Sequence, residues 1–246
     1  MEVRETAPDD LGPDLDRIEA AVAAGSTDLR GLGFWRVVAT VKPDRLLVGR
    51  YADQIGRIDT AAFRAGVKLR VPVWVGNLLL LLGVAAGGLA VWAAYAWTTP
   101  LWKGLALIAA GAIWALAVHS PTHWVVGYLV GIRWTDYFFG GPFPPRPGLK
   151  SDYGTYLCAD PDSRAWMHAS GAITTKCAPF VALAFWPDSG APGWAAAVLV
   201  GLGVLQIVTD LTLSTKNSDW KKFAREKGVA RARRRATEPV PVVGGA

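Results

Sequence analysis

The apolar positions of this chain fall into two regimes. Over residues 1–70 they recur at helical intervals in a polar background: Leu11, Leu15, Ile18 and Val22, then Leu47, Tyr51, Ile55 and Ile58. Steps of three and four put each set on one stripe of a helix, which predicts a helical N-terminal region whose stripes pack on each other or on a membrane face. From Val73 onward the pattern changes to long runs almost without charge. About 20 such residues cross a hydrocarbon core, and the stretches 73–97, 102–132, 167–186 and 194–213 each meet that length. The second is too long for the core: 102–132 as one helix would reach about 45 Å against roughly 30 Å, so its end must tilt, break or project.

The expected fold class is therefore an all-α polytopic membrane protein with four transmembrane helices. Residues 1–70 form its cytoplasmic helical region, 71–215 the membrane domain, and 216–246 a basic cytoplasmic tail, with Arg231 to Arg235 mobile. Within the membrane domain, 133–166 is polar and rich in Pro and Gly (Gly140, Gly141, Pro142, Pro144, Pro145, Pro147, Gly148), which predicts a cytoplasmic loop or a re-entrant hairpin. Gly83, Gly87 and Gly88 in the first span read as helix-packing contacts, since no strand precedes them and no Lys follows.

Charge refines the topology. The net charge of +6 comes from a cluster directly behind the last apolar run: Lys216, Lys221, Lys222, Arg225, Lys227, Arg231, Arg233, Arg234 and Arg235. Beside a membrane segment this is a positive-inside signal that can also meet anionic lipid, so the lipid bilayer, and no nucleic acid, is the expected partner. Lys103 is the exception in otherwise uncharged outer turns, and both termini are expected in the cytoplasm of a cell-membrane protein. Cys158 and Cys177 fall on that reducing side, with no disulfide framework or Cys-based zinc motif. No signal peptide is expected, because the opening (Glu2, Glu5, Asp9, Asp10) is acidic and the first apolar run begins after Arg70.

Ionisable groups inside spans cost roughly 2.5–3.5 kcal/mol each on insertion scales for acidic and basic residues, so each calls for a reason. The candidates are His119, His123, His168 and Asp210. Counted from the Trp residues at the outer ends (Trp102, Trp186, Trp194), the second, third and fourth spans each put one of them at roughly 24 to 27 Å depth. They are either a shared site or separate groups at the inner interface. His119 and His123 lie four apart, which on an unbroken helix aims two imidazoles the same way, the spacing used for one metal ion. Asp210 would add a carboxylate, and two histidines with one carboxylate leave zinc an open position. Pro121 offers the other outcome: Ser120 as an N-cap with Pro121 opening a new helix, and the two rings diverging.

The run His119-Ser-Pro-Thr-His123-Trp-Val-Val-Gly127, followed by Gly131-Ile-Arg and Phe139-Gly-Gly-Pro142, resembles the site-2 protease family of intramembrane metalloproteases. There a HExxH helix precedes a Gly-containing stretch and a membrane-associated hairpin. The resemblance covers the second to fourth spans and the intervening segment. It implies that His119 and His123 are metal ligands, that Asp210 is the distant aspartate, and that a membrane protein or transmembrane peptide is the substrate. Two positions depart from the family. Ser120 stands where the general base Glu belongs, and the Asp-Gly signature is missing from Thr209-Asp210-Leu-Thr-Leu-Ser-Thr-Lys-Asn-Ser-Asp219-Trp. Ser120 cannot take a proton from zinc-bound water as a carboxylate does. The resemblance thus implies a zinc-holding scaffold without peptidase activity. The alternatives are a peptidase drawing its base from elsewhere, for example Asp136, and a metal-free adaptor or transporter component in which a histidine pairs with Asp210.

Overall fold

A computed structural model describes residues 10–140, 146–213 and 218–237. Glu2, Glu5 and Asp9 of the acidic opening, Gly141, Pro142, Pro144 and Pro145 of the Pro/Gly stretch, Lys216 of the basic cluster and the last nine residues lie outside them.

The N-terminal region forms α1 (Gly12–Ala23), α2 (Phe34–Val41) and α3 (Arg45–Gly66); α1 and α3 are the helices that the two stripes predict, and α2 between them is one that neither stripe foretold. Asp44 starts α3 by accepting hydrogen bonds from the amides of Leu46 (2.7 Å) and Leu47 (3.1 Å), two donors the first turn leaves unpaired. Leu15, Ile18 and Val22 of α1 and Tyr51, Ile55 and Ile58 of α3 meet Phe34, Val38 and Val41 of α2 in one buried core. The stripes pack on each other, as expected.

Among the described residues, three helices are long and apolar enough to cross a membrane: α4 (Val73–Ala96), α5 (Pro100–Leu129) and α9 (Gly193–Thr212). Leu79, Leu82 and Leu89 of α4 and Leu205 and Leu211 of α9 lie exposed, as contact with lipid acyl chains requires. The expected third span is α7 (Pro161–Leu183), which is not one of these three. It carries His168, Ser170, Thr174, Thr175 and Lys176, and its small residues Ala165, Ala169, Ala172, Ala178 and Ala182 are buried against neighbouring helices. The face of α7 that packs on protein has no need of the uniformly apolar surface that lipid imposes, while Trp166, Ile173 and Val181 lie exposed on the rest of the helix. After α7, the single turn α8 (Trp186–Ser189) leads to α9.

α5 runs unbroken through Pro121, so the cap at Ser120 does not form and His119 and His123 stay on one helix.

Residues 133–166, expected as a loop or hairpin, are ordered throughout the described part. Three short strands, β1 (Arg70–Pro72), β2 (Trp134–Gly140) and β3 (Arg146–Ser151), form an antiparallel sheet in the order β1-β2-β3, with Tyr137 opposite both Val71 and Leu149. The Tyr137 ring packs on Gly76 and its hydroxyl donates to Asn77 Oδ1 at 2.9 Å, which ties the sheet to the start of α4. Helix α6 (Tyr153–Cys158) follows, and its Leu157 completes the N-terminal core. The all-α expectation therefore holds for most of the chain, with this small sheet as its exception.

The expected mobile tail at Arg231 to Arg235 belongs instead to a docked helix, α10 (Asp219–Thr237). Asp162 of α7 pairs with Lys227 (2.6 Å) and Arg234 (2.8 Å), and Phe223 meets the Trp166 ring edge-on.

Candidate metal centre

The site is built where α5, α7 and α10 meet. His119 and His123 stack one turn apart on α5, their ring centroids 4.7 Å from each other. His123 is buried against Gly171 of α7, where a methyl group would lie 2.3 Å from the imidazole Nε2. Asp219, the first residue of α10, places Oδ2 3.3 Å from His119 Nε2 and 3.3 Å from His123 Nε2. One ligand atom from each of these three residues lies within 4.8 Å of the other two.

The second nitrogens of both rings are fixed. His123 Nδ1 stands 2.7 Å from the Met167 carbonyl oxygen, which only accepts, so Nδ1 carries the proton. Thr175 Oγ1 donates to the Gly171 carbonyl (2.9 Å) and so accepts from His119 Nδ1, also at 2.9 Å. A neutral imidazole protonated on Nδ1 leaves a lone pair on Nε2, and an outer-shell carbonyl or hydroxyl on Nδ1 is how metal-ligating histidines are held. Two lone pairs and a carboxylate oxygen then converge with no proton between them. That donor set fits a tetrahedral divalent cation such as zinc.

Asp219's other oxygen, Oδ1, receives Lys222 Nζ at 3.1 Å. Burial pushes the Asp219 carboxyl up, but its contacts with the two imidazoles and the charge of Lys222 outweigh it and hold the group well below the usual carboxylate range. Cavities open on two sides of the site. One of about 480 Å³ is lined by His119, Thr175, Gln206, Asp210 and Asp219, and one of about 210 Å³ by His123, Ser120, Tyr156, His168 and Lys222.

The four residues singled out in the sequence thus part company. His119 and His123 come together. Asp210 lies at the α7/α9 seam, where its Oδ2 is 2.5 Å from Lys176 Nζ, and it makes no hydrogen bond or ion pair with either histidine among the described residues, although it lines a cavity with His119. His168 stands one ring further out, its centroid 6.4 Å from that of His123. Its Nε2 is 3.0 Å from the Tyr156 hydroxyl, which donates to Glu226 Oε1 at 2.7 Å. Asp136 sits in β2, 4.0 Å from the Arg70 guanidinium. Two signals for this outcome were present in the sequence. Lys176 is a cation inside an otherwise uncharged stretch and needs an acid at its own depth, which claims Asp210. Asp219 and Glu226 are the only acids of α10, seven apart and so on one face.

Glu226 anchors the far end of that face. It is 2% exposed and pairs with Lys42 at the end of α2 and with Arg164 Nε at 2.8 Å, Arg164 being fully buried. Burial pushes the Glu226 carboxyl up, yet the charges of Lys42 and Arg164 more than offset it, and its pKa falls below the ordinary value. Burial and the Glu226 charge push the Tyr156 phenol well up, so it stays protonated and can donate.

No family model, curated protein or solved structure matches this chain. Function therefore has to be argued from the site.

Proposed function

We propose that this is a membrane-embedded metal-binding protein in which His119, His123 and Asp219 hold a zinc ion, on a scaffold similar to the site-2 proteases but without their peptidase chemistry. The observation that carries the reading is the convergence of three acceptors, each imidazole held by its Nδ1 hydrogen bond with Nε2 facing the carboxylate. Bound there, zinc would supply a Lewis-acidic open position facing the adjoining cavities. The chain's own residues do the rest. Met167 and Thr175 orient the rings, Lys222 orients the carboxylate, and Ser120 leaves the position after the first histidine without a base. Asp136 is engaged by Arg70 in the sheet, which favours binding over cleavage. A polypeptide carbonyl or carboxylate entering the cavity is the chemistry such an open position accepts.

In this reading α7 is the fourth crossing, lined by α5, α9 and α10, and the basic face of α10 marks the cytoplasmic side, where both termini lie. The second reading is a proton in place of the metal, shared between Asp219 and one of the two rings that its carboxylate meets at 3.3 Å.

Metal analysis of full-length protein purified in detergent without chelator separates them. About one zinc per chain is expected, retained in Asp210→Asn and lost in His123→Ala and Asp219→Asn. Metal-free wild-type protein that folds normally leaves the imidazolium reading. Zinc lost in Asp210→Asn but kept in Asp219→Asn overturns the assignment of the third ligand.

A further inference from the structure

Away from the metal centre, α3 and α6 enclose a groove of about 630 Å³. Asp53, Arg57 and Arg64 line it from one stripe of α3, and Arg133, Asp152 and Thr155 line it from the other side. Its floor is made by backbone. A methyl group at Gly56 would lie 2.9 Å from the Gly154 amide nitrogen, so the two chains touch there.

Three arginines and two aspartates line this one hollow. The guanidinium groups of Arg64 and Arg133 make no ion pair or hydrogen bond with any described residue, and Arg57 meets only the half-exposed Glu19, at 3.1 Å. Three guanidinium groups facing a common hollow suit a phosphate, which they bind through paired N–H donors. The groove also has an acidic end. Asp53 lies one turn from Arg57, about 6 Å along the helix, and Asp152 approaches α3 beside Gly56. A phosphate and an ammonium one turn apart are the two charges of a phosphoethanolamine.

Position supplies the source of such a group. Arg64 lies six residues before Arg70, where β1 leads directly into α4, and Arg133 lies four residues after the last residue of α5. The groove therefore sits at the end of the molecule where one apolar helix begins and another finishes, the level of lipid headgroups if these helices cross a bilayer.

We propose that the α3/α6 groove binds the headgroup of an ethanolamine phospholipid, its phosphate on Arg57, Arg64 and Arg133 and its ammonium toward Asp53 and Asp152. Native mass spectrometry of the delipidated full chain in detergent, titrated with phosphatidylethanolamine, tests it. One lipid adduct per chain is expected. Phosphatidylglycerol, which lacks the amine, should compete at least tenfold less well. The adduct should fall at least tenfold in Arg64→Gln/Arg133→Gln and in Ala61→Trp, which fills the groove without altering charge at an exposed position; zinc content, read on the same samples, should stay unchanged in both. Equal adducts in wild type and both variants, or phosphatidylglycerol binding as well, overturn the proposal. So does saturation by soluble glycerophosphoethanolamine with no lipid adduct, which would make the ligand a free phosphate ester.

Discussion

Gly171→Ala sets two effects of opposite sign against each other. Within a helix, Ala is favoured over Gly by about 1 kcal/mol, so on α7 alone the change stabilises. The added methyl group, however, would lie 2.3 Å from His123 Nε2 and 2.6 Å from its Cε1, against an ordinary contact of 3.4–4 Å. The ring has to retreat by roughly 1 Å, and overpacking a closed site typically costs about 1–3 kcal/mol. Retreat is opposed by the 2.7 Å bond from His123 Nδ1 to the Met167 carbonyl, on the same helix as the new methyl group. Ligand distances tolerate only about 0.2 Å, and disturbing the shell that orients a ligating histidine costs about 10- to 100-fold in affinity. Competition for zinc with a chromogenic chelator should show at least a tenfold loss, and the thermal midpoint without metal should stay level or fall. Gly88→Ala, at a position with nothing within 4 Å of the new methyl group, should raise the midpoint slightly and leave zinc affinity intact. Gly171→Ala with wild-type zinc affinity and a raised midpoint would refute the placement of His123 against α7.

Glu226→Gln should be far more damaging than a surface change, because it leaves the fully buried Arg164 without its counter-charge; about 3–5 kcal/mol is expected, read as a loss of thermal midpoint in detergent. The combined change Lys42→Met/Arg164→Met/Glu226→Met removes all three charges and should recover much of that loss, and failure to recover any would show that the network acts through something other than charge burial. Acid should weaken the same junction. The Glu226 pKa is depressed in the fold from an ordinary 4.5, so its stabilisation is present above pH 4.5 and is lost as pH falls through the lower folded value. Asp162, held below 3.8 by Lys227 and Arg234, acts in the same direction. The slope of midpoint against pH below about 4.5 should therefore flatten in Glu226→Gln; an unchanged slope would place the acid sensitivity elsewhere.

The parts of this fold that could be read from sequence are those fixed by one periodicity at a time. The stripes of α1 and α3 are local, and Leu15, Ile18, Ile55 and Ile58 occupy the core their spacing implies. The runs forming α4, α5 and α9 are likewise visible without a partner. Where meaning depends on a partner, spacing alone says less. α7 has the length of a span, and its polar residues Ser170, Thr174, Thr175 and Lys176 find partners on its own backbone and on α5 and α9. Asp210 lies at a suitable depth for the histidines, yet depth says nothing of direction around the helix, and Lys176 claims it. The strands were hidden because Pro147 and Gly148 are strand-averse, and they tolerate an edge position, β3 being the last of the three strands.

α10 shows why the place of Asp219 beside the histidines was the hardest to foresee. Its composition is that of a solvated helix, with Ala230 its only buried apolar residue among those described. Hydrophobic burial, with Trp220, Phe223 and Val229 only half-buried, is a small part of what docks it. The larger part is charge: Asp219 at the first turn faces His119, His123 and Lys222, and Glu226 two turns on faces Lys42 and Arg164. Each ion in such a junction is taken from water at a cost that only a close counter-charge offsets, so the helix is held in register or not at all. Lys42 belongs to the N-terminal helices and Arg164 to α7, and both meet the helix that brings Asp219 to the histidines. The His119/His123/Asp219 cluster is thus completed by a segment whose docking contacts include the N-terminal region through Lys42.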